Sequence, residues 1–218
     1  MGFGGKFPPL YPILDATYLP ADVARRHEAL VELVASLVEA GVEILQYRNK
    51  QGSEAEILRD AETMRATTPP NLKLIFNDFP HLAVTARFDG VHVGQQDMAP
   101  QEARRLVGTE RIVGISTHNE AQLRAAHLEP VDYIAIGPVF ATSSKQNPDP
   151  VVGLDGVRLA RKLTQKPVVA IGGITLENAA RVWEAGANSV AVISAIFSAH
   201  EDPAKSAGNF LRIFHGKS

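Results

Sequence analysis

The chain has 218 residues, 45% of them apolar, a formal net charge of −2 and no cysteine. That charge offers no broad footprint to nucleic acid or to an anionic membrane, and the lack of cysteine excludes disulfides, thiolate nucleophiles and cysteine-held zinc or iron–sulfur sites. Residues 1–13 are broken by Pro8, Pro9 and Pro12, and no apolar run approaches the ~18 residues of a membrane span, so a cytoplasmic location is expected.

Residues 1–9 read as a loose lead-in, and 11–14 as a first short strand ending in Asp15. Leu30, Leu33, Val34, Leu37 and Val38 share one face of a helix over 27–40, closed by Gly41. A strand over 42–47 follows. Ser53-Glu54-Ala55-Glu56 then has the pattern of a capping box, opening a helix that runs to Arg65. Strands over 73–76, 90–93, 112–115 and 133–136 alternate with helices over 80–86, 100–107 and 120–127. The polar stretch 137–153 exceeds an ordinary connection and reads as functional. A helix over 154–163, a strand over 168–171, a helix over 176–185, a strand over 189–193, a short helix from 194 and a last helix over 203–214 complete the chain.

Eight short strands rich in Val and Ile alternate with helices, and no shift in composition divides them. Strands apolar on both faces are those of a sheet covered on both sides. The pattern predicts an α/β chain forming one (β/α)8 TIM-barrel domain. The alternative, an open doubly wound sheet, would usually carry a glycine fingerprint after the first strand, and none is present.

In such a barrel the site lies at the C-terminal ends of the strands. Gln46, Arg48 and Lys50 alternate, so all three face one way, with Tyr47 and Asn49 on the other phase. The two cations suit a diphosphate, Arg48 as a fork and Lys50 as a point charge. Asn77 and Asp78 end the third strand, and Asp97 lies just beyond the fourth. Two carboxylates at neighbouring strand ends suit Mg2+, which takes oxygen ligands and completes its shell with phosphate. Taken singly, each is equally readable as a helix N-cap, since Pro80 and Pro100 follow closely.

Ser116, Thr117 and His118 come after the fifth strand, and Thr142, Ser143, Ser144 and Lys145 after the sixth. Gly172-Gly173 precedes a helix and Ile193-Ser194 opens another, which is the usual phosphate site of this fold, although the glycines equally serve tight turns. The rim thus carries two anion sites, one cationic beside the acidic pair and one of backbone amides and hydroxyls. They suit two small phosphorylated substrates, or one with phosphates at both ends. His92 reads as barrel lining and His118 has no acidic partner in the nearby sequence. His27, His81, His127, His200 and His215 read as surface residues, and no histidine is expected to be a catalytic base.

From Tyr11 to the last helix the chain resembles the thiamine-phosphate synthase family. The matching motifs are Gln46-x-Arg48-x-Lys50, Asn77-Asp78, the run from Asp89 to Asp97, Gly114-Ile-Ser116-Thr-His118, Gly137-Pro-Val-Phe-x-Thr142 with Lys145, Ala170-Ile-Gly-Gly173-Ile, and Val192-Ile-Ser-Ala-Ile196. The resemblance implies a transferase that joins hydroxymethylpyrimidine diphosphate to thiazole phosphate, giving thiamine phosphate and diphosphate. It implies that Asp78 and Asp97 hold Mg2+. Gln46, Tyr47, Arg48, Asn49, Lys50, Asn77, Ser116 and Lys145 would hold the pyrimidine diphosphate. Thr142, Ser143, Ser144, Gly173, Ile193 and Ser194 would hold the thiazole phosphate. Arg48, Lys50 and Lys145 would stabilise the leaving diphosphate, and no protein nucleophile is needed.

Ala141 stands where the family usually has proline and Ser144 where it usually has threonine; the second keeps the hydroxyl and neither removes a charge. Two rival readings agree less well with these residues. The thiazole tautomerases of the same superfamily have a histidine where Pro138 stands and lack the acidic pair. A non-catalytic sensor of phosphorylated metabolites has no need of a metal site for a leaving group.

Overall fold

Eight parallel strands carry the chain: β1 (Leu10–Asp15), β2 (Ile44–Arg48), β3 (Lys73–Asn77), β4 (Gly90–Val93), β5 (Ile112–Thr117), β6 (Tyr133–Ile136), β7 (Val168–Ile171) and β8 (Ser189–Val192). Each pairs with its neighbour in sequence order, and β8 returns to β1, so the sheet closes into a barrel. The structure, a computed structural model, describes residues 6–142, 149–198 and 202–215. Around the barrel lie α1 (Val23–Glu39), α2 (Glu54–Thr67), α3 (Pro80–Thr85), α4 (Pro100–Val107), α5 (Glu120–Leu128), α6 (Gly153–Leu163), α7 (Leu176–Glu184), the short α8 (Ser194–Phe197) and α9 (Pro203–His215). This is the (β/α)8 barrel that the sequence predicts.

The strands are buried on both faces because they separate two apolar layers. Tyr11, Ile13, Ile44, Ile75, Ile112, Tyr133, Ala135, Val169 and Ala191 fill the barrel interior. Their sequence neighbours, such as Leu10, Leu14, Leu45, Leu74 and Phe76, pack outward with the helices. The interior is not purely aliphatic, since Tyr11 and Tyr133 are both fully buried in it. Room for the second ring comes from β5: a Cβ on Gly114 would lie 2.0 Å from Cζ of Tyr133. Glycine here is a matter of space.

Two differences from the sequence reading have simple causes. The lead-in is not loose where the structure describes it: Phe7 is buried, and its ring centroid lies 5.1 Å from that of Tyr133 inside the barrel. Helix α1 begins at Val23, not at residue 27, because Asp22 caps it by accepting a hydrogen bond from the Arg25 amide at 2.9 Å. That first turn carries no apolar repeat. The capping box of α2 forms as expected, with the Ser53 amide donating to Glu56 Oε2 at 2.8 Å.

Candidate active site

The C-terminal ends of β1 to β5 open into a cavity of about 980 Å³. Arg48, Asn49 and Lys50 from the end of β2, Asn77 and Asp78 from β3, and Ser116 from β5 all line it. Asp15, at the end of β1, lines it too and forms an ion pair with Arg48. Burial pushes the Asp15 carboxyl up, but hydrogen bonds from Thr17 and the Arg48 charge outweigh it and hold the group below the usual carboxylate range. Asp15 thus joins the rim residues expected from the sequence, standing at the end of β1 as Asp78 follows the end of β3.

Lys50 Nζ lies 2.8 Å from Asp78 Oδ2. Asp78 sits at φ 68, in the left-handed region that a residue other than glycine seldom enters. Burial raises the Asp78 carboxyl pKa, Asp97 beside it adds to the rise, and Lys50 opposes it. Asp97 Oδ2 accepts the Gly94 amide at 2.7 Å. Neither carboxylate caps a helix: the N-cap positions of α3 and α4 are Phe79 and Ala99, without side-chain caps. The N-cap alternative is thus removed. At the end of β3, next to Asp78 in the chain, Asn77 Nδ2 is buried with no hydrogen-bond partner among the described residues. A buried donor left unpaired is costly, and a ligand acceptor would relieve it.

Tyr47 and Gln46 are placed differently from Arg48 and Lys50. Tyr47 turns outward into the helix layer, where its hydroxyl bonds Asp60 and its ring meets Phe76 edge-on at 5.9 Å. It lines neither cavity of the rim. The alternation of the strand requires this, since its neighbours face the mouth. Gln46 faces inward but one layer below the opening, where Nε2 donates to the Tyr11 hydroxyl at 2.9 Å.

A second cavity of about 230 Å³ lies at the ends of β6 to β8 and is lined by Thr142, Gly173, Ile193 and Ser194. Ile193 borders both cavities. Ser143, Ser144 and Lys145 fall outside the described residues. Gly173 has φ +64, and a Cβ there would lie 2.4 Å from the Ala141 carbonyl oxygen. Glycine is therefore required by the chain after β6 as well as by any anion. His118 does have an acidic partner, one that local sequence does not reveal: Nε2 lies 3.4 Å from Asp149 Oδ2, and Nδ1 contacts the Gly137 carbonyl at 2.6 Å.

Against this geometry, similarity to known proteins is decisive. The family model for thiamine monophosphate synthase matches residues 10–196. The chain belongs to the thiamine monophosphate synthase family. The thiamine-phosphate synthase of Koribacter versatilis is 52% identical over 215 residues, covering 99% of this chain and all of that protein. That of Chloroflexus aurantiacus is 38% identical, over 88% of this chain and 86% of its own. A solved thiamine phosphate pyrophosphorylase from Pyrococcus furiosus superposes with a TM-score of 0.82 at 30% identity, covering 95% and 96% of the two chains. As a member of the thiamine monophosphate synthase family the chain is an enzyme, a transferase.

Proposed function

We propose that the two cavities hold the two substrates of thiamine phosphate synthesis, hydroxymethylpyrimidine diphosphate in the larger and thiazole phosphate in the smaller, and that diphosphate departs before the new bond forms. The observation that carries this reading is the adjacency of the cavities across Ile193, one edged by Arg48, Lys50 and Asp78, the other by Gly173 and Ser194. A diphosphate calls for charge, whereas a phosphate monoester is well served by backbone amides at a helix start.

Asp78 and Asp97 fit a Mg2+ ion. Burial and mutual repulsion raise the Asp78 carboxyl, which is the electrostatic state a cation relieves. Among the described residues no group of three or more acidic, histidine or cysteine side chains could cage a metal. Two carboxylates, with the shell completed by phosphate and water, are what Mg2+ ordinarily takes from a protein. When bound, the ion would neutralise charge on the leaving diphosphate.

The chain's own residues have a limited task. The methylene carbon–oxygen bond of the pyrimidine substrate breaks, and its electron pair leaves with the diphosphate. Arg48 and Lys50, with Lys145 from the sequence that follows β6, stabilise that charge. The resulting cation is spread into the amino-substituted ring, and the thiazole supplies the electron pair for the new bond. Asn77, Asn49 and Ser116 hold the first substrate, and Thr142, Ser143, Ser144, Gly173, Ile193 and Ser194 the second. Positioning the two together replaces a bimolecular encounter. The small-molecule chemistry is consistent with a cytoplasmic enzyme, and no helix among the described residues is long and apolar enough to cross a membrane. Incubation with both substrates and Mg2+ should yield thiamine phosphate and diphosphate in equal amounts. Product from either substrate alone, or none from the pair, would overturn the reading.

A further inference from the structure

A continuous line of hydrogen bonds runs from the middle of the barrel to the floor of the larger cavity. Gln46 Nε2 meets the Tyr11 hydroxyl at 2.9 Å, and Tyr11 meets the Tyr133 hydroxyl at 2.9 Å. Tyr133 meets His92 Nδ1 at 2.9 Å, and His92 Nε2 meets Ser116 Oγ at 2.8 Å. His92 and Ser116 line the cavity, whereas Tyr11, Gln46 and Tyr133 do not.

The direction of such a line is set at its ends. An amide nitrogen only donates, so the Tyr11 oxygen receives a hydrogen from Gln46, which leaves its own hydrogen to point at Tyr133, and that is the direction taken in the inference below. In that direction Tyr133 donates to Nδ1 of His92. A neutral imidazole that accepts at Nδ1 carries its hydrogen on Nε2, which then donates to Ser116. Burial raises both phenols well above their ordinary range, so both keep the hydrogens that the line needs. The near-parallel rings of His92 and Tyr133, 20° apart, and the space left by Gly114 hold the arrangement in place.

We infer that His92 is a positioning residue, fixed in its Nε2–H tautomer by the tyrosine line, so that Ser116 presents its hydroxyl hydrogen to an acceptor atom of the pyrimidine substrate. This rests on the reading of the larger cavity as the pyrimidine diphosphate site. His92 takes up no proton in the reaction and never touches the diphosphate. Its work is to remove the rotational freedom of the Ser116 hydroxyl before substrate arrives, as preorganised donors do.

The test uses the full chain labelled with 15N-histidine and free of substrate, so that it is independent of any turnover assay. The His92 signals are assigned by their loss in His92→Gln. The expected spectrum shows a protonated Nε2 and a bare Nδ1. In Tyr133→Phe both nitrogens should move to intermediate values. In that variant kcat/KM for the pyrimidine substrate should fall about five- to tenfold, the scale of one hydrogen bond, with the KM for thiazole phosphate unchanged. Tyr11→Phe should shift both measurements the same way by less, and it carries the test alone if Tyr133→Phe does not fold. A wild-type His92 protonated on Nδ1 would invert the line and overturn the inference. So would a folded Tyr133→Phe with unaltered spectrum and kinetics, or with equal losses for both substrates. Failure of the wild-type enzyme to make thiamine phosphate would instead count against the function proposed for the cavities.

Discussion

The two cavities of the rim meet at Ile193, yet they are built from opposite materials. The larger one is edged by side-chain charge already arranged in pairs, Arg48 with Asp15 and Lys50 with Asp78. The smaller one is edged by backbone and hydroxyls at β7 and β8, with His118 and Asp149 across from them. Paired charges resist burial and must be re-partnered when a ligand arrives, so they suit a highly charged group whose charge increases as it leaves. Fixed backbone dipoles need no rearrangement, so they suit a phosphate that enters and leaves with the same charge.

The sharpest way to break that contrast is at the acidic pair. Asp97→Asn should lower turnover on the order of a hundredfold or more while the melting temperature changes little, and a chelator should silence the wild type. Full turnover with chelator present would end the assignment. Next in size is Arg48→Gln. It should cut kcat/KM for the pyrimidine diphosphate by roughly tenfold to a hundredfold without moving the KM for thiazole phosphate, as steady-state kinetics with each substrate varied will read. The Lys145→Ala variant is expected to follow Arg48→Gln in direction.

Gly173→Val probes the other side. The new side chain meets the Ala141 carbonyl and a φ of +64, so stability should fall by about 1–3 kcal/mol as well as affinity for thiazole phosphate. A raised KM for the pyrimidine substrate alone would show the two sites to be inverted.

The smallest expected effect concerns Asp15. Its carboxyl is held below the usual range in the folded protein, so its contribution to stability is complete above the unfolded value of about 3.9 and is lost as pH falls through the folded one. Asp15→Asn should therefore flatten the acid limb of a plot of melting temperature against pH, leaving little change in shape above pH ~5. An unchanged acid limb would show that the Asp15 carboxylate, held by Thr17 and Arg48, contributes nothing there.

Much of this was legible from the chain alone because it is local. Runs such as 133–136 and 168–171 are apolar on both faces, as expected of strands in a sheet covered on both sides. Arg48, Lys50, Asp78 and Asp97 could be named as candidates because each stands at a strand end or within a few residues of one. What stayed hidden depends on distance along the chain. The role of Asp15 appears only when Arg48, 33 residues on, comes to meet it. The pairing of His118 with Asp149 requires the far end of the connection after β6. Tyr47 was misleading for a different reason: it sits between two rim residues, and a strand sends alternate side chains to opposite faces, here toward Asp60 on α2.

Gly114 carries a consequence for how this sequence can drift. The space its missing side chain leaves is occupied by the Tyr133 ring, with Cζ 2.0 Å from where a Cβ would stand. Position 114 is not at liberty to change first. An alanine at 114 is admissible only after 133 has become small, and a small residue at 133 leaves a void that a larger one at 114 would then fill. The two sites, on neighbouring strands, are thus coupled in one direction, and a side chain at 114 should appear among the chain's descendants only beside a smaller residue at 133.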